Sequence, residues 1–427
     1  MANITKIGES YKIVVFVGRD INGKKIRKMT TFKPSQTTPA KIKKEVEDFA
    51  REYEKKVKEG KCLEGDKVTF AEIEQIWLTN WATQHLTERN VEDYERALKK
   101  RVLCVIGHKK IGKITPLEIQ SIIDEMTLKE KLAPKTVKNT FTAINSVFRY
   151  AYKLMIIKEN PCLRCELPIK KKDGSLHYFD KEQTNNFLNA LDMKYYSTHK
   201  AHSRTLKSSG EEYSVPEYKE EHTFGVMWKA FFYLAIYGAF RRGEICALKW
   251  TDIDEENRTV SITKSMTKTE KSGQFEKCPK TKAGNRETTI PSKCFQVLKI
   301  WKAEQREKCL KMGTQWKGQR GSNYNDNYIF TTDTGLPIDV DSPTHKFKEI
   351  IEIYNRTVED EKDKLPNIRL HDLRHTSATL LLSENVDIET VSKRLGHEKA
   401  STTIDIYGHA LASMDRKASD TLERLFG

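Results

Sequence analysis

The pattern of apolar and polar positions divides this chain into segments of different kinds. Near the N-terminus, "SYKIVVFVGRD" and "KKIRKMTTFK" read as β-strands around "INGKK", with Asn22-Gly23 as a hairpin-turn signal. A helix is expected from Pro39 through "PAKIKKEVEDFAREYEKKVKEG", ending at Gly60. One small sheet and one helix bury too little apolar surface for much beyond binding. From residue 68 to about 165 the pattern is helical. "ITPLEIQSIIDEM" opens with Thr115 as N-cap, Pro116 at the first helical position and Glu118 completing a capping box. Farther on, Val137, Phe141, Ile144, Phe148 and Ala151 recur at helical spacing as one apolar stripe. Asn160-Pro161 is expected to stop that helix.

"PIKKKDGS" (168–175) reads as a basic linker. Beyond it, Asp180 with Gln183 caps a first helix. Residues 195–222, "YYSTHKAHSRTLKSSGEEYSVPEYKEEH", are polar and weakly periodic, which predicts a loop or an irregular insertion. "FGVMWKAFFYLAIYGAFRRGEICALKW" predicts a long buried helix broken near Gly238. The strand-like "RTVSIT" and "RETTIP" bracket a lysine-rich hairpin, and the rest of the chain reads as helical. The expected domains are 1–65, 66–167 and 176–427. The expected class is α+β and mostly helical: a small N-terminal sheet–helix module, an all-α domain, and a mixed helical domain with a small antiparallel sheet.

Composition adds a constraint on partners. The 427 residues suffice for two or three domains, and 75 Lys+Arg against 60 Asp+Glu leave a net charge of +15. Such an excess suits a binder of polyanions better than an enzyme of small neutral molecules. No run approaches the roughly 18 apolar residues of a membrane span. "MANITKIGES" lacks the apolar stretch of a signal peptide. The eight cysteines are scattered, as expected of reduced thiols in a cytosolic protein. Cys162-Leu-Arg-Cys165 has metal-like spacing but lacks a second ligand pair, so zinc is not expected there. Gly18 to Lys25 fits G-x4-G-K. Lys25, however, stands where a phosphate-binding loop needs Ser or Thr, and a strand follows where a helix is required. Nucleotide binding there is rejected.

The candidate chemistry lies in the last domain. Arg241 ends the most apolar segment, with Glu244 three residues on to hold its guanidinium. Arg242 points about 100° away, toward solvent. In "HDLRH", His371 and Arg374 share one side of a helix start, while His375 takes a different direction. Gly396 ends a helix, His397 follows in the turn, and Tyr407 closes the amphipathic segment "TTIDIY". Taken singly, each has an ordinary structural explanation: an ion pair, a packed tyrosine, a satisfied histidine.

The combination is more specific. Arg…Lys…His-x-x-Arg…His…Tyr, in "RRGEICALKWTDID", "PKTKAGNRETTIP", "LHDLRHTSATLLL" and "LGHEKASTTIDIYGH", resembles the tyrosine recombinases, the phage-integrase family. The resemblance covers about 176–427. The upstream layout is similar to integrases of bacteriophages and conjugative transposons. It departs from the family in Gly238-Ala239-Phe240, where Thr-Gly-Leu is usual, and in the insertion at 195–222.

The resemblance implies site-specific DNA recombination: integration and excision of a mobile element through a 3′-phosphotyrosyl intermediate and a Holliday junction. It implies Arg241 and Arg374 as clamps on the phosphate, Tyr407 as nucleophile, His371 as proton acceptor or relay, and His397 as hydrogen-bond donor to a phosphate oxygen. Lys280 would be the general acid, with Lys282 the competing register, and Glu244 would support Arg241. No cofactor, ATP or metal is implied. Double-stranded DNA would be bound at core-type sites, with Lys135 and Lys138 on the helical domain. Arm-type sites would be bound through Lys24, Lys25, Arg27 and Lys28. A homotetramer on two duplexes, accessory DNA-bending or directionality factors, no membrane, and a bacterial cytoplasmic, nucleoid-associated location complete the expectation. The alternatives are a type IB topoisomerase-like enzyme and a catalytically inactive DNA-binding relative.

Overall fold

The computed structural model describes residues 3–19, 25–36, 38–58, 67–169, 176–205, 210, 212–279 and 282–426. The chain divides into two compact units, 1–172 and 173–427.

The first unit opens with an antiparallel sheet of β1 (Asn3–Ile7), β2 (Ser10–Arg19) and β3 (Lys25–Phe32), in that order. β2 and β3 are the two expected strands. β1 was not expected, because all five of its residues are exposed and leave no alternation to read. It is held by the ladder pairing Ile4 with Ile13. Ile13 and Val15 are buried in β2. Phe32 stacks on Phe49 of α1 (Pro39–Lys58) at 4.2 Å, joining helix to sheet. The Asn22-Gly23 turn and Lys24 lie outside the described residues. A strand, not a helix, runs on from Lys25.

The helical part contains α2 (Phe70–Trp77), α3 (Glu88–Arg101), α4 (Pro116–Asp124) and α5 (Pro134–Lys153). The capping box on α4 is formed: Thr115 accepts from the Glu118 amide, and Glu118 accepts from the Thr115 amide at 2.8 Å. Val137, Ile144, Phe148 and Ala151 are buried as one stripe, and Phe141 packs beside them. α5 stops at Lys153, earlier than expected. Met155 takes a left-handed φ of 54°, and the Ile156 amide bonds back to the Ala151 carbonyl at 2.9 Å. The bend buries Ile157. Asn160 serves instead as a cap, accepting from the Cys162 amide at 3.0 Å.

The second unit begins with α6 (Lys181–Ala190), capped by Asp180 and Gln183 as expected. The described residues of 195–222 are mostly strand, not irregular: β4 (Lys194–His199) pairs with β7 (Tyr218–Thr223), and β5 (His202–Thr205) pairs with β6 (Glu212–Val215). The apolar period was absent because the half-buried face of β4 carries Tyr195, Ser197 and His199 instead of aliphatic residues, and the β5–β6 ladder is almost wholly exposed. Cross-strand pairs and backbone hydrogen bonds hold the ladders.

α7 (Val226–Tyr237) ends at Gly238, and α8 (Arg242–Cys246) starts after Arg241. A small antiparallel sheet of β8 (Ile253–Asp254), β9 (Thr259–Ile262) and β12 (Arg286–Thr289) encloses in sequence the hairpin β10 (Ser265–Thr269) and β11 (Gly273–Lys277). Longer helices follow: α9 (Ser292–Met312), α10 (Ser342–Thr357), α11 (Asp372–Ser383), α12 (Ile388–Leu395) and α13 (Ala400–Phe426). The core is rich in aromatic rings, Phe187, Phe231, Phe232, Phe330 and Phe347 among them. A smaller cluster joins Ala239, Ala378, Leu382, Val391, Leu395 and Tyr407. Among the described residues no helix is long and apolar enough to cross a membrane.

Candidate active site

The break between α7 and α8 positions the first guanidinium. A Cβ on Gly238 would lie 2.2 Å from the Phe240 ring, so the close turn needs glycine there. Ala239 follows with φ 53°, a left-handed conformation that costs an alanine roughly 1–2 kcal/mol. The turn points the Ala239 carbonyl at Arg374, whose Nη1 donates to it at 2.7 Å. Arg241 then caps α8. Glu244 folds back on it, accepting from the Arg241 amide at 2.9 Å and from Nη1 at 2.8 Å. Arg241 keeps 39% of its side chain exposed, so its remaining nitrogens stay accessible.

Arg286, not singled out by the sequence reading, completes this side. Its Nη2 donates to Glu244 Oε2 at 2.8 Å, and its Nη1 to Oε1 at 3.2 Å. Its Nε donates to the Arg394 carbonyl at 2.9 Å. Burial works against the charge of Glu244, but the bonds and charges of Arg286 and Arg241 outweigh it and hold the carboxyl at about 2. Arg242 reaches solvent in part, as expected, but is also anchored. It pairs with Asp341 at 2.8 Å and donates to Thr344 at 2.8 Å, fastening α8 to the start of α10.

Arg374 sits in the first turn of α11 and is 3% exposed. Its nitrogens donate to the Ala239 and Leu395 carbonyls, and no carboxylate pairs with it among the described residues. Burial first, then the charge of Arg241, pull the guanidinium down to about 9, still charged at neutral pH. His371 precedes the helix. Its withdrawal from water, then the charges of His375, Arg374 and Arg241, pull its imidazole down to about 4.

His397 follows Gly396, whose φ of 63° gives α12 a left-handed end. The Nδ1 of His397 lies 2.9 Å from the Thr403 hydroxyl. Burial and the charges of Arg374, Arg241 and Arg286 bring this imidazole to about 4 as well. Arg286 also lies against the turn: a Cβ on Gly396 would sit 3.0 Å from its Nη1.

Tyr407 does not close a short segment. It lies one-quarter of the way along α13, a single helix of 27 residues, and is 1% exposed. Burial pushes its phenol up to about 12, while Arg374 and Arg241 act in the opposite sense. Its hydroxyl lies 2.7 Å from Nδ1 of His375, not of His371. The sequence carried a signal for this: His371 and His375 are four apart and so share a helix face. Their rings meet edge to face at 5.3 Å, and His375 meets the Tyr407 ring at 5.6 Å. Burial keeps His375 below its ordinary value. A neutral His375 with its proton on Nε2 can accept the phenolic proton at Nδ1.

The structure therefore brings Arg241, Arg374, His371, His397 and Tyr407 together, with Arg286, His375 and Glu244 beside them. Lys280 lies outside the described residues. Lys282 is described only as the backbone start of a short 3-10 turn, Lys282–Gly284. Lys135 and Lys138 are exposed on α5, and Arg27 is exposed on β3. The side chains of Lys25 and Lys28 are outside the description.

The comparisons with known proteins bear on the chain as a whole. The Phage integrase family matches residues 214–414, and the phage integrase N-terminal SAM-like domain matches residues 69–127. The chain belongs to the tyrosine recombinase (phage integrase) family, and its activity is that of a tyrosine recombinase of the integrase type. A Tyrosine recombinase XerC-like protein of Caldanaerobacter subterraneus subsp. tengcongensis is 28% identical, over 99% of this chain and 98% of its own length. The ICEBs1 integrase of Bacillus subtilis is 26% identical, over 97% of each. Among solved structures, the Tn1549 transposon integrase in complex with a circular intermediate DNA aligns with a TM-score of 0.60 and 18% identity. The alignment covers 82% of this chain and 99% of that one. At that identity the likeness is one of fold.

Proposed function

We propose that this recombinase integrates and excises a mobile element by cleaving DNA through Tyr407. The observation that carries the proposal is Arg374, a buried guanidinium near Arg241 and Tyr407 whose hydrogen-bond partners among the described residues are carbonyls alone. A cation so placed needs an anion to compensate it. A scissile phosphate supplies one. Its transition state adds negative charge to the non-bridging oxygens, which Arg241 and Arg374 stabilise, with His397 donating a further hydrogen bond.

Tyr407 attacks phosphorus, the 3′-phosphotyrosyl bond forms, and the 5′-oxygen departs. The phenol must shed its proton at a pH well below 12, and His375 is the base within hydrogen-bond distance. His371, four residues before, is the relay toward the phosphate. Lys280, or Lys282, protonates the leaving 5′-oxygen. The freed 5′-hydroxyl of a partner duplex later reverses the step, so bond energy is conserved and neither ATP nor a metal is required.

The remaining assignments follow from exposure and charge. Lys135 and Lys138 on α5 contact phosphates at core-type sites. The free face of the N-terminal sheet, where Arg27 lies opposite Phe16, reads arm-type sites together with Lys24, Lys25 and Lys28. The exposed Leu422, Leu425 and Phe426 at the end of α13 dock on a neighbouring protomer in a tetramer holding two duplexes. Accessory bending or directionality factors set the outcome. The domains at 1–65, 66–167 and 176–427 take the arm-binding, core-binding and catalytic roles.

The test is a nicked half-site DNA incubated with the protein in EDTA. A covalent protein–DNA adduct is expected with wild type and none with Tyr407→Phe. An adduct that persists in Tyr407→Phe removes the nucleophile assignment; no adduct with a half-site from the element's own ends removes the function.

A further inference from the structure

Outside the cationic cluster, the β4–β7 ladder presents a second gathering of chemically active side chains. Its register sets Tyr195 opposite His222, Ser197 opposite Glu220 and His199 opposite Tyr218. Directly opposed residues share a face, and so do residues two apart on one strand. The two imidazoles therefore lie diagonally across one face, on either side of the Ser197–Glu220 pair. His199 Nε2 lies 3.1 Å from Glu220 Oε2, and His222 Nε2 lies 3.9 Å from the same oxygen. Ser197 Oγ sits between the rings, 3.1 Å from His199 Nε2 and 2.7 Å from His222 Nε2. Among the described residues this is the group of His, Cys, Asp and Glu side chains whose donor atoms converge closely enough for one ion, all within 4.8 Å.

We propose that His199, His222 and Glu220 form a divalent-metal site of the zinc class that clips β4 to β7. Two imidazole nitrogens and one carboxylate oxygen are the donors of three-ligand zinc sites, at about 2.0–2.2 Å from the ion. Tetrahedral geometry at that radius sets donors about 3.4 Å apart, close to the 3.1 and 3.9 Å spacings present. The nitrogen donors select against Mg2+ and Ca2+, which take oxygen.

The rings are already oriented. His199 stacks on Tyr218 at 4.7 Å, and His222 lies against Tyr195 at 5.4 Å. Tyr195 in turn stacks on Phe224 of the core at 4.9 Å. The opposite face of the ladder is occupied differently: Glu221 binds Lys194 at 2.8 Å and Tyr196 at 2.9 Å. That division leaves Glu220 to the histidines. Both rings, 40% and 32% exposed, and the carboxylate, 52% exposed, leave room for a water or Ser197 as fourth ligand. A two-stranded ribbon with no core of its own is marginal in water, and a metal bridging both strands supplies the missing cross-link.

The test uses the full-length protein without DNA, so it stands apart from the recombinase reading. Co2+ serves as a spectroscopic probe and Zn2+ as competitor. One equivalent of Co2+ should give visible d–d absorption that Zn2+ abolishes, and Zn2+ should raise Tm. His199→Ala and His222→Ala should each weaken binding at least about 100-fold and remove the Tm rise, whereas Glu221→Gln should leave both unchanged. Absence of a one-equivalent band overturns the proposal. So does a band that survives in His199→Ala/His222→Ala, or one lost in Cys162→Ser/Cys165→Ser while kept in His222→Ala. Circular dichroism of each variant separates loss of a ligand from loss of fold.

Discussion

Arg286 and Arg374 both take a guanidinium out of water, but in different company. Arg286 meets the Glu244 carboxylate with two nitrogens, so that charge is balanced inside the protein. Arg374 meets the carbonyls of Ala239 and Leu395, and its charge is not balanced by any direct carboxylate among the described residues. The first arrangement builds a scaffold. The second is the arrangement that, under the proposed function, takes a phosphate from outside. On that proposal two arginines of one cluster contribute to different quantities, one to folding and the other to reaction.

The largest effect should come from breaking the balanced half. Arg286→Met leaves the buried Glu244 carboxylate to Arg241 alone and should destabilise the protein by about 3 kcal/mol in chemical denaturation. The same pair predicts acid sensitivity. Glu244 titrates at about 2 in the fold instead of an ordinary 4.5, so its contribution is complete above 4.5 and is lost as pH falls toward 2. Tm measured from pH 6 down to 3 should drop, and less so in Glu244→Gln, which starts lower.

Arg374→Met attacks the unbalanced half. Adduct formation should slow by about 100- to 1000-fold, with a smaller loss of stability than in Arg286→Met. Equal stability losses would erase the distinction between the two arginines.

A smaller effect is expected at His375. His375→Phe keeps the ring but removes the acceptor for Tyr407, and should slow adduct formation about 10- to 100-fold. In wild type the rate should fall as pH drops through the depressed His375 value, below 6.5; the variant should lose that acid limb. If the limb persists, His371 is the base.

Smallest of all, Arg27→Ala with Lys28→Ala should weaken arm-site binding about tenfold in a gel-shift assay at fixed salt. Half-site cleavage should be unchanged.

Taken singly, Arg241, His371, Arg374, His397 and Tyr407 each had an ordinary structural explanation beside an apolar run. What made them candidates was their order and context, which carry the resemblance to tyrosine recombinases. Arg286 was missed because it opens a strand at the surface end of "RETTIP", where an arginine looks solvated; only the fold turns it toward Glu244. His375 was set aside by comparing its direction with Arg374 instead of with His371, four residues earlier. Helical spans with a periodic stripe, such as α5, were readable. Their ends were not, since the stop at Lys153 depends on a left-handed Met155 that no residue preference signals. The strands within 195–222 escaped notice because their half-buried positions hold polar and aromatic residues that leave no aliphatic alternation, and His199 and His222 are brought together by register alone.

α13 carries Tyr407 near one end and the apolar Leu422, Leu425 and Phe426 at the other. At 1.5 Å per residue about 28 Å of unbroken helix separates Tyr407 from Phe426. An α-helix resists bending over that length, so the nucleophile and the tail behave as the two arms of a lever. Under the proposed docking of the tail on a neighbouring protomer, that grip would bear on the angle at which the phenol meets His375, without the neighbour touching the catalytic groups.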